Sequence, residues 1–242
     1  MISDQGVCPT KLKRPPVNTF DALLVRLEQL FPSFNSVILV QEAISEQFFF
    51  VNLDDLKKRC GLSDCSVRED LNDRHQWPLF IQLRETPTLL WPPPKRLSQV
   101  LSELLRYGEE GASAHRGAAI LSLDSTDAVP LAAFLLDYPV AYVPASADQT
   151  SFLADVSLDV YECVFRPGVV EAQRLSLTNG EHIVMKFSCP SAIYSAEEVG
   201  ELSAPKLTQR LSDKFGNRLR EAGLPDSFLI RHTTQVHDRV SL

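Results

Sequence analysis

The stretch from Gly117 to Val143 is the most apolar part of the chain and constrains its fold more than any other segment. Ala118 to Leu123 is a nearly unbroken apolar run, which is typical of a strand buried on both faces. Val140 to Val143 predicts a second strand. The whole stretch is interrupted by Asp137 and by prolines, whereas a membrane span needs roughly 20 consecutive apolar residues. It therefore predicts a core element of a globular domain, with no membrane contact.

A short helix is predicted between these two strands. Asp124 and Asp127 are residue types that cap helix N-termini, because a side-chain oxygen accepts a backbone N–H that has no partner in the helix. Pro130 is expected in the first turn, where its missing N–H costs little. Pro139 is expected to end the helix, because the residue before a proline is pushed out of the α region.

Near the start of the chain we predict a helix capped by Asn18 or Thr19, and a hairpin of Val37 to Val40 with Phe48 to Val51. A short helix is predicted from Leu53 to Cys60, with acidic residues in its first turn and basic residues in its last, which complements the helix dipole.

The rest of the chain mixes hairpins with strand–helix–strand units, which favours a mixed α/β fold. We expect a mixed, largely antiparallel sheet with flanking helices. Residues 1–17 are predicted to form a flexible N-terminal tail, and residues 18–242 a single globular domain with a possible internal boundary near 108–116. The alternation of Val156, Leu158, Val160 and Val164 with mostly polar residues predicts a half-buried strand.

Two local predictions are specific enough to be tested residue by residue. Leu175 and Leu177 can share a face with Ile183 only if the loop between them has three residues, Thr178-Asn179-Gly180. That loop is a type I turn with a G1 bulge and requires positive φ at Gly180. In the last predicted helix, Gly216 is expected to cost stability and Gly223 to close the C-terminus.

Charge is distributed unevenly along the chain. Gly117 to Phe165 holds seven acidic residues and no Lys, Arg or His, which equals the net charge of -7. With a pI near 5.3, the chain has no general basic face of the kind that binds nucleic acid. Five cysteines without framework spacing predict free thiols in a reducing compartment, and no secretory signal is recognisable, so we expect a cytoplasmic or nuclear protein.

The acidic residues around the central stretch are the candidate site. Asp124 ends a predicted strand, Asp127 follows three residues later, and Asp137 comes at the end of the helix. Ligands bind at the carboxyl ends of strands in open α/β sheets, and Mg²⁺ takes carboxylate oxygens there. Helix capping by Asp124 and Asp127 is the competing interpretation, because neither aspartyl-phosphatase nor adhesion-type metal motifs match the spacing.

Other candidate ligands and nucleophiles are less specific. Cys60, Cys65 and His75 lack the second ligand pair that structural zinc sites show. His232 and His237 are five apart on a predicted strand and so point to opposite faces, which predicts a core histidine at position 232. No Gly-x-Ser-x-Gly elbow, Walker loop or dinucleotide fingerprint is present in the sequence.

Two short motifs carry a resemblance. At Leu135-Leu136-Asp137-Tyr138-Pro139 and at Asp238-Arg239-Val240-Ser241-Leu242, the chain resembles an uncharacterised eukaryotic family of similar length. The resemblance implies an intracellular single-domain protein and no particular activity.

The preferred interpretation is a non-catalytic module that binds a protein partner, without a cofactor or a metal. The alternative is a metal-assisted hydrolase or phosphotransfer enzyme that uses Asp124, Asp127 and Asp137 with Mg²⁺. The two differ in whether several carboxylates converge in one pocket.

Overall fold

The structure is a computed structural model. It describes residues 16–44, 46–60, 77–111, 118–149, 151–168, 173, 180–195, 203–224, 227–237 and 240–241. The chain divides into two compact units. Unit 1 comprises Met1–Ser66 and Val100–Ser122, and unit 2 comprises Val67–Gln99 and Leu123–Leu242. The predicted single domain over 18–242 stays a prediction, and residues 1–15 of the predicted tail lie outside the described residues.

Unit 1 is built on a three-stranded sheet in the order β2-β1-β5. Its elements are helix α1 (Val17–Leu30), strands β1 (Val37–Glu42) and β2 (Phe48–Asn52), helix α2 (Leu53–Arg59), part of helix α3 (Lys95–Gly111) and strand β5 (Ala119–Leu121). The predicted hairpin of β1 and β2 is confirmed by their antiparallel pairing. Strand β5 runs parallel to β1 on its other side.

The ends of these helices test the capping predictions. Helix α1 begins at Val17 with Pro16 at its N-cap, so the expected cap at Asn18 or Thr19 is wrong. In α2 the Asn52 side chain accepts the N–H of Asp55 at 3.0 Å. The first turn of α2 is acidic and its last turn basic, an order that complements the helix dipole. Helix α3 runs on to Gly111, so the predicted boundary segment 108–116 begins inside a helix.

Strand β5 lies at the edge of its sheet, and its burial differs from the prediction. Ala119 and Leu121 are buried, but the Ile120 side chain is 73% exposed. The expectation of burial on both faces is therefore wrong. An apolar run shows that a strand is hydrophobic, but it does not show whether that strand lies at the centre or at the edge of its sheet.

Unit 2 contains the remaining sheets. Strand β3 (Leu79–Leu83) pairs with β4 (Thr88–Leu90) antiparallel and with β6 (Val140–Pro144) parallel. Strands β8 (Ser157–Phe165), β9 (His182–Pro190) and β10 (Phe228–Val236) form an antiparallel sheet in the order β10-β8-β9. A two-stranded ribbon joins β7 (Ser151–Phe152) to β11 (Val240–Ser241). Helices α4 (Ser125–Leu135) and α5 (Ala204–Glu221) complete this unit.

The predicted fold class is confirmed as α/β. In the described part of the chain, five of the seven strand pairings are antiparallel and two are parallel. The strands are shared among several small sheets instead of one large one. No helix within the described ranges has the length and apolar character that a bilayer crossing requires.

The core of unit 2 is centred on strand β8. Tyr161 is fully buried and stacks on Phe187 at 4.9 Å between ring centroids. Leu207 and Leu211 of α5 are buried in the same cluster, while Leu158 and Val160 belong to a second cluster with Leu83, Phe152 and Leu153. Strand β8 is thus buried on both faces, and the prediction of a half-buried strand is wrong.

Helix α4 begins at Ser125, with Asp124 at the N-cap. Pro130 is therefore its sixth residue and lies inside the helix, where a first-turn position was expected. The helix ends before Pro139, because Asp137 adopts φ 61°. The N–H of Tyr138 donates to the carbonyl of Ala133 and that of Asp137 to the carbonyl of Phe134, which is a Schellman ending.

The predicted loop before β9 is described only in part. Leu175, Thr178 and Asn179 lie outside the described residues, whereas Ile183, the predicted partner of Leu175, is described and pairs with Val164 of β8. Gly180 has φ 158°, which is positive but nearly extended. The predicted positive sign of φ at Gly180 is confirmed, although 158° is not the left-handed value that a G1 bulge has, and the rest of the turn lies outside the described residues.

The C-terminus of α5 repeats the Schellman ending with glycine. Gly223 has φ 74°. Its N–H donates to the carbonyl of Arg220, and the N–H of Leu224 donates to that of Leu219. The predicted closing role of Gly223 is confirmed.

Two alanine substitutions, one within α5 and one just after its C-terminus, should change stability in opposite directions. A Cβ at Gly216 or at Gly223 would meet no atom within 4 Å, so only the backbone conformation distinguishes the two positions. Gly223→Ala should lower the free energy of unfolding by about 1 kcal/mol, because an L-residue is strained at left-handed φ. Gly216→Ala should raise it by about 0.5–1 kcal/mol, because alanine loses less backbone entropy in a helix. Urea unfolding of both variants measures this, and a loss of stability in both would contradict it.

Candidate functional site

Asp124 and Asp127 lie together at the N-terminus of α4, as the sequence suggested. Asp124 occupies the N-cap, and its carbonyl accepts the N–H of Asp127 at 2.9 Å. Within the described residues its carboxylate makes no cap hydrogen bond. The capping interpretation is thus right about position, but the side-chain bond on which it relied is not made.

The electrostatics of this pair are those of two acids held close to a helix end. Burial raises the pKa of Asp127, the neighbouring charge of Asp124 raises it further, and Arg96 opposes both effects. Arg96 therefore supplies a positive charge near the carboxylates from the start of α3. The three side chains form a small charged group in unit 2.

Asp137 is not part of this group. It follows the C-terminus of α4, eleven helical residues away from the N-cap, which is about 16 Å along a helix axis. Its Oδ1 lies 2.5 Å from Lys214 Nζ and its Oδ2 lies 2.8 Å from Arg218 Nη1. These two cations are one turn apart on α5, so the carboxylate bridges successive turns of that helix.

Metal ligands do not gather elsewhere in the part of the chain that the structure describes. Among those residues, no group of three His, Cys, Asp or Glu side chains is close enough together to hold a metal ion. Cys65 and His75 of the weak zinc pattern lie outside the described ranges. Their third member, Cys60, is buried in unit 1.

The buried thiols are poor nucleophiles. Burial raises the pKa of Cys163 to about 11, and it raises that of Cys60 to about 11 although Arg59 acts in the opposite direction. A thiol reacts as its thiolate. Both groups are therefore protonated at neutral pH and behave as small core side chains.

A buried carboxylate on β8 pairs with a histidine that the sequence did not connect to it. Asp159 Oδ1 lies 2.9 Å from His232 Nε2 and accepts the Thr234 hydroxyl at 2.9 Å. The His232 ring also stacks on Tyr161, with centroids 4.9 Å apart. The prediction of a core histidine is partly right, since its side chain has a partner but remains 34% exposed.

The chemical capacity of this carboxylate–imidazole pair is limited. A carboxylate that orients an imidazole is the arrangement found in hydrolase triads and behind metal-ligating histidines. Here the nearby hydroxyl of Thr234 donates to the same carboxylate as the imidazole, so it is not placed for activation by His232. The contacts instead satisfy an aspartate that would be costly to bury alone. The pair is brought together by the β8–β10 register, which places Asp159 opposite Thr234 and Tyr161 opposite His232. Only knowledge of this strand pairing could have identified it from the sequence.

Unit 1 contains an open polar cleft of 490 Å³ beside the N-terminus of α2. Its lining includes Ser33, Asn35, Ser36, Asn52, Asp54 and Lys58. Asn52 already caps α2, and the Ser36 hydroxyl lies 3.4 Å from its Oδ1. These contacts shape the wall of the cleft and do not by themselves define a ligand.

The other feature of unit 1 is an exposed apolar surface on α1. None of the residues of α1 is buried, although the helix is amphipathic. Leu23 is 47% exposed, Leu30 is 54% exposed, and Phe31 at the end of the helix is half-exposed. On the sheet side, Phe20 stacks on Phe48 at 4.6 Å. We refer to Leu23, Leu30 and Phe31 as the α1 surface.

Comparison with known proteins adds no functional information. No protein-family model, no curated protein and no solved structure matches this chain. The resemblance drawn from the two short motifs therefore stays a prediction.

The ion pairs of Asp137 should contribute measurably to stability. Asp137→Asn keeps a residue type that tolerates left-handed φ at a helix end but removes the charge that bridges Lys214 and Arg218. We expect the free energy of unfolding to fall by about 1–2 kcal/mol, as for hydrogen bonds to charged groups that are partly exposed. The loss should shrink in 1 M salt, because salt screens partly exposed charges.

Asp148→Asn is the matched control, because Asp148 belongs to the same acidic segment but is exposed. Its substitution should change the free energy of unfolding by less than about 0.5 kcal/mol. Equal losses in both variants would show that the net charge matters and that the specific pairs do not.

Proposed function

We propose that this chain is a non-catalytic module that binds a protein partner through the α1 surface. The observation that supports this is an amphipathic helix with no buried residue. Leu23 and Leu30 are seven residues apart, so they lie within about 20° of one another around the helix axis. Phe31, directly after the helix, is exposed as well. Single exposed apolar residues are ordinary, but contiguous ones rimmed by polar residues are typical of interaction sites.

The expected partner is a protein segment that presents apolar side chains. Burial of leucine and phenylalanine against such a segment removes apolar surface from water, which is the main favourable term in association. The charged and polar residues of α1, among them Arg26 and Gln29, would form the rim of the contact. The free thiols in the described chain support a reducing location, cytoplasmic or nuclear.

A double substitution should distinguish specific binding through the α1 surface from non-specific hydrophobic binding. Leu23→Gln with Leu30→Gln keeps helix propensity, since glutamine and leucine are similar in helices, but removes the apolar contact. Partners are captured with the full chain, and each candidate is then purified and titrated by calorimetry. The double variant should bind at least about tenfold more weakly, which corresponds to about 1.4 kcal/mol, and wild-type binding should show a negative heat-capacity change.

Leu136→Gln provides the control. Leu136 lies in unit 2 and is 57% exposed, close to the exposure of Leu30. This variant should bind like the wild type. If the α1 double variant also retains full affinity for every partner, binding through the α1 surface is excluded.

The second candidate function is a metal-assisted hydrolase or phosphotransfer enzyme. The closeness of Asp124 and Asp127 favours it, because the charge of one raises the pKa of the other and a divalent cation would relieve that repulsion. Asp137, included in the sequence hypothesis, is held by Lys214 and Arg218 instead. Any such site would therefore be centred on the first two aspartates, with Mg²⁺ completing its shell from water and substrate.

A thermal-shift titration distinguishes the two functions. Under the enzyme hypothesis, Mg²⁺ or Mn²⁺ raises the melting temperature of the wild type but not of Asp124→Asn, because an ion that binds only the folded state stabilises it by about 2.7 kcal/mol at a hundred times its dissociation constant. Under the binding-module hypothesis, neither ion shifts either protein. Asp148→Asn again serves as the charge control.

A further inference from the structure

Strand β10 forms an open edge of the antiparallel sheet in unit 2. It has nine residues, Phe228–Val236, and all nine pair with β8. It stands last in the order β10-β8-β9, and no other described strand pairs with it. Residues 232–236 are exposed or half-exposed along it. A long strand edge of this kind is a template for pairing with another chain.

The hydrogen bonds at the start of β10 determine which of its backbone groups point outward. The N–H of Arg166 donates to the carbonyl of Ser227 at 2.7 Å, so residues 166 and 227 form a hydrogen-bonded pair. Such pairs alternate along an antiparallel ladder. The outward N–H and C=O groups therefore belong to the even-numbered residues of the strand: Phe228, Ile230, His232, Thr234 and Val236.

We propose that β10 pairs antiparallel with β10 of a second copy of this chain, about a two-fold axis at His232. The five outward residues are symmetric about His232. Full-length pairing therefore places Phe228 opposite Val236 of the second copy, and Ile230 opposite Thr234. Every outward residue then faces an outward residue, and each such pair exchanges two hydrogen bonds. The result is one continuous sheet of six strands across the two copies.

Charge along the edge fits a second copy of an acidic chain. The protein carries a net charge of -7, yet β10 contains no acidic residue. Its one formal charge, on Arg231, is already paired with Glu181 of the same chain. In the proposed register Arg231 faces Thr233 of the second copy. Although both molecules carry a net negative charge, this contact therefore places no two like formal charges opposite each other.

The side chains along the edge are also compatible with self-pairing. The strand has no Pro, Gly or Lys, which are the residues that commonly block edge pairing. An aromatic residue facing a β-branched one, as in Phe228 against Val236, is a favourable cross-strand pair. The edge is thus complementary to itself in the one register that uses its full length.

Sedimentation equilibrium of the full chain over a concentration series tests this pairing through Thr233. Thr233 is exposed, so its replacement should leave the fold intact, and thermal unfolding verifies that. Thr233→Glu places a carboxylate opposite Arg231 of the second copy, and Thr233→Lys places a second cation there. Since the pair occurs twice in the dimer, we expect the dimer dissociation constant to fall about threefold or more for the first variant and to rise by as much for the second.

Val236→Pro gives an independent measurement. The N–H of Val236 points outward, so proline there removes no bond to β8 but blocks the added strand. This variant should be monomeric at concentrations where the wild type dimerises. A wild type that remains monomeric throughout the series would overturn the proposal, as would a dimer that responds alike to Lys and Glu at position 233. Binding of a different chain at this edge by a monomeric wild type would also overturn it.

Discussion

Burial of strand β8 on both faces is the constraint on which most of unit 2 depends. One face brings Tyr161 and Cys163 into the cluster beneath α5. The other face packs Leu158 and Val160 against Leu83 and Phe152. Strands β9 and β10 pair along its two sides. A single strand therefore joins two clusters and two neighbours, and a defect in it would be felt by all of them because protein interiors are close-packed.

The central place of β8 also explains why a carboxylate is tolerated inside the sheet. Asp159 is buried among apolar residues, where an unpaired charge would be very costly. Strand β10 supplies both of its side-chain partners, His232 and Thr234. The same strand thus stabilises the core side of β8 and leaves its own outer edge open. These polar contacts on β10 are explained by the burial of the Asp159 carboxylate on β8.

Several local features were predictable from the sequence because neighbouring residues determine them, although the N-cap of α1 and the place of Pro130 in α4 were not. The β1–β2 hairpin, the charge order of α2 and the glycine ending of α5 depend on residues a few positions apart, and all three were predicted correctly.

Burial was not predictable in the same way. The apolar β5 lies at a sheet edge and the mixed-polarity β8 lies at a sheet centre, because strand order is decided by contacts between distant parts of the chain. The Asp159–His232 pair was missed for the same reason, since it depends on a register across 73 residues.

The acidic segment from 117 to 165 has a structural explanation that its sequence conceals. Asp137 is bridged to Lys214 and Arg218, Asp159 to His232, and Glu162 to Lys186. All these basic partners come from the later part of the chain, so acids and bases are separated along the sequence but paired in space.

A block of acids without nearby bases suggested a cation site, yet three of its members already have protein partners. What remains of that hypothesis is the pair Asp124 and Asp127, in which the charge of Asp124 raises the pKa of Asp127. No group of three potential ligands is found among the described residues. Two carboxylates beside an arginine make a weak metal site, since Mg²⁺ needs near-octahedral oxygen coordination, so water and substrate would have to supply most of the ligands.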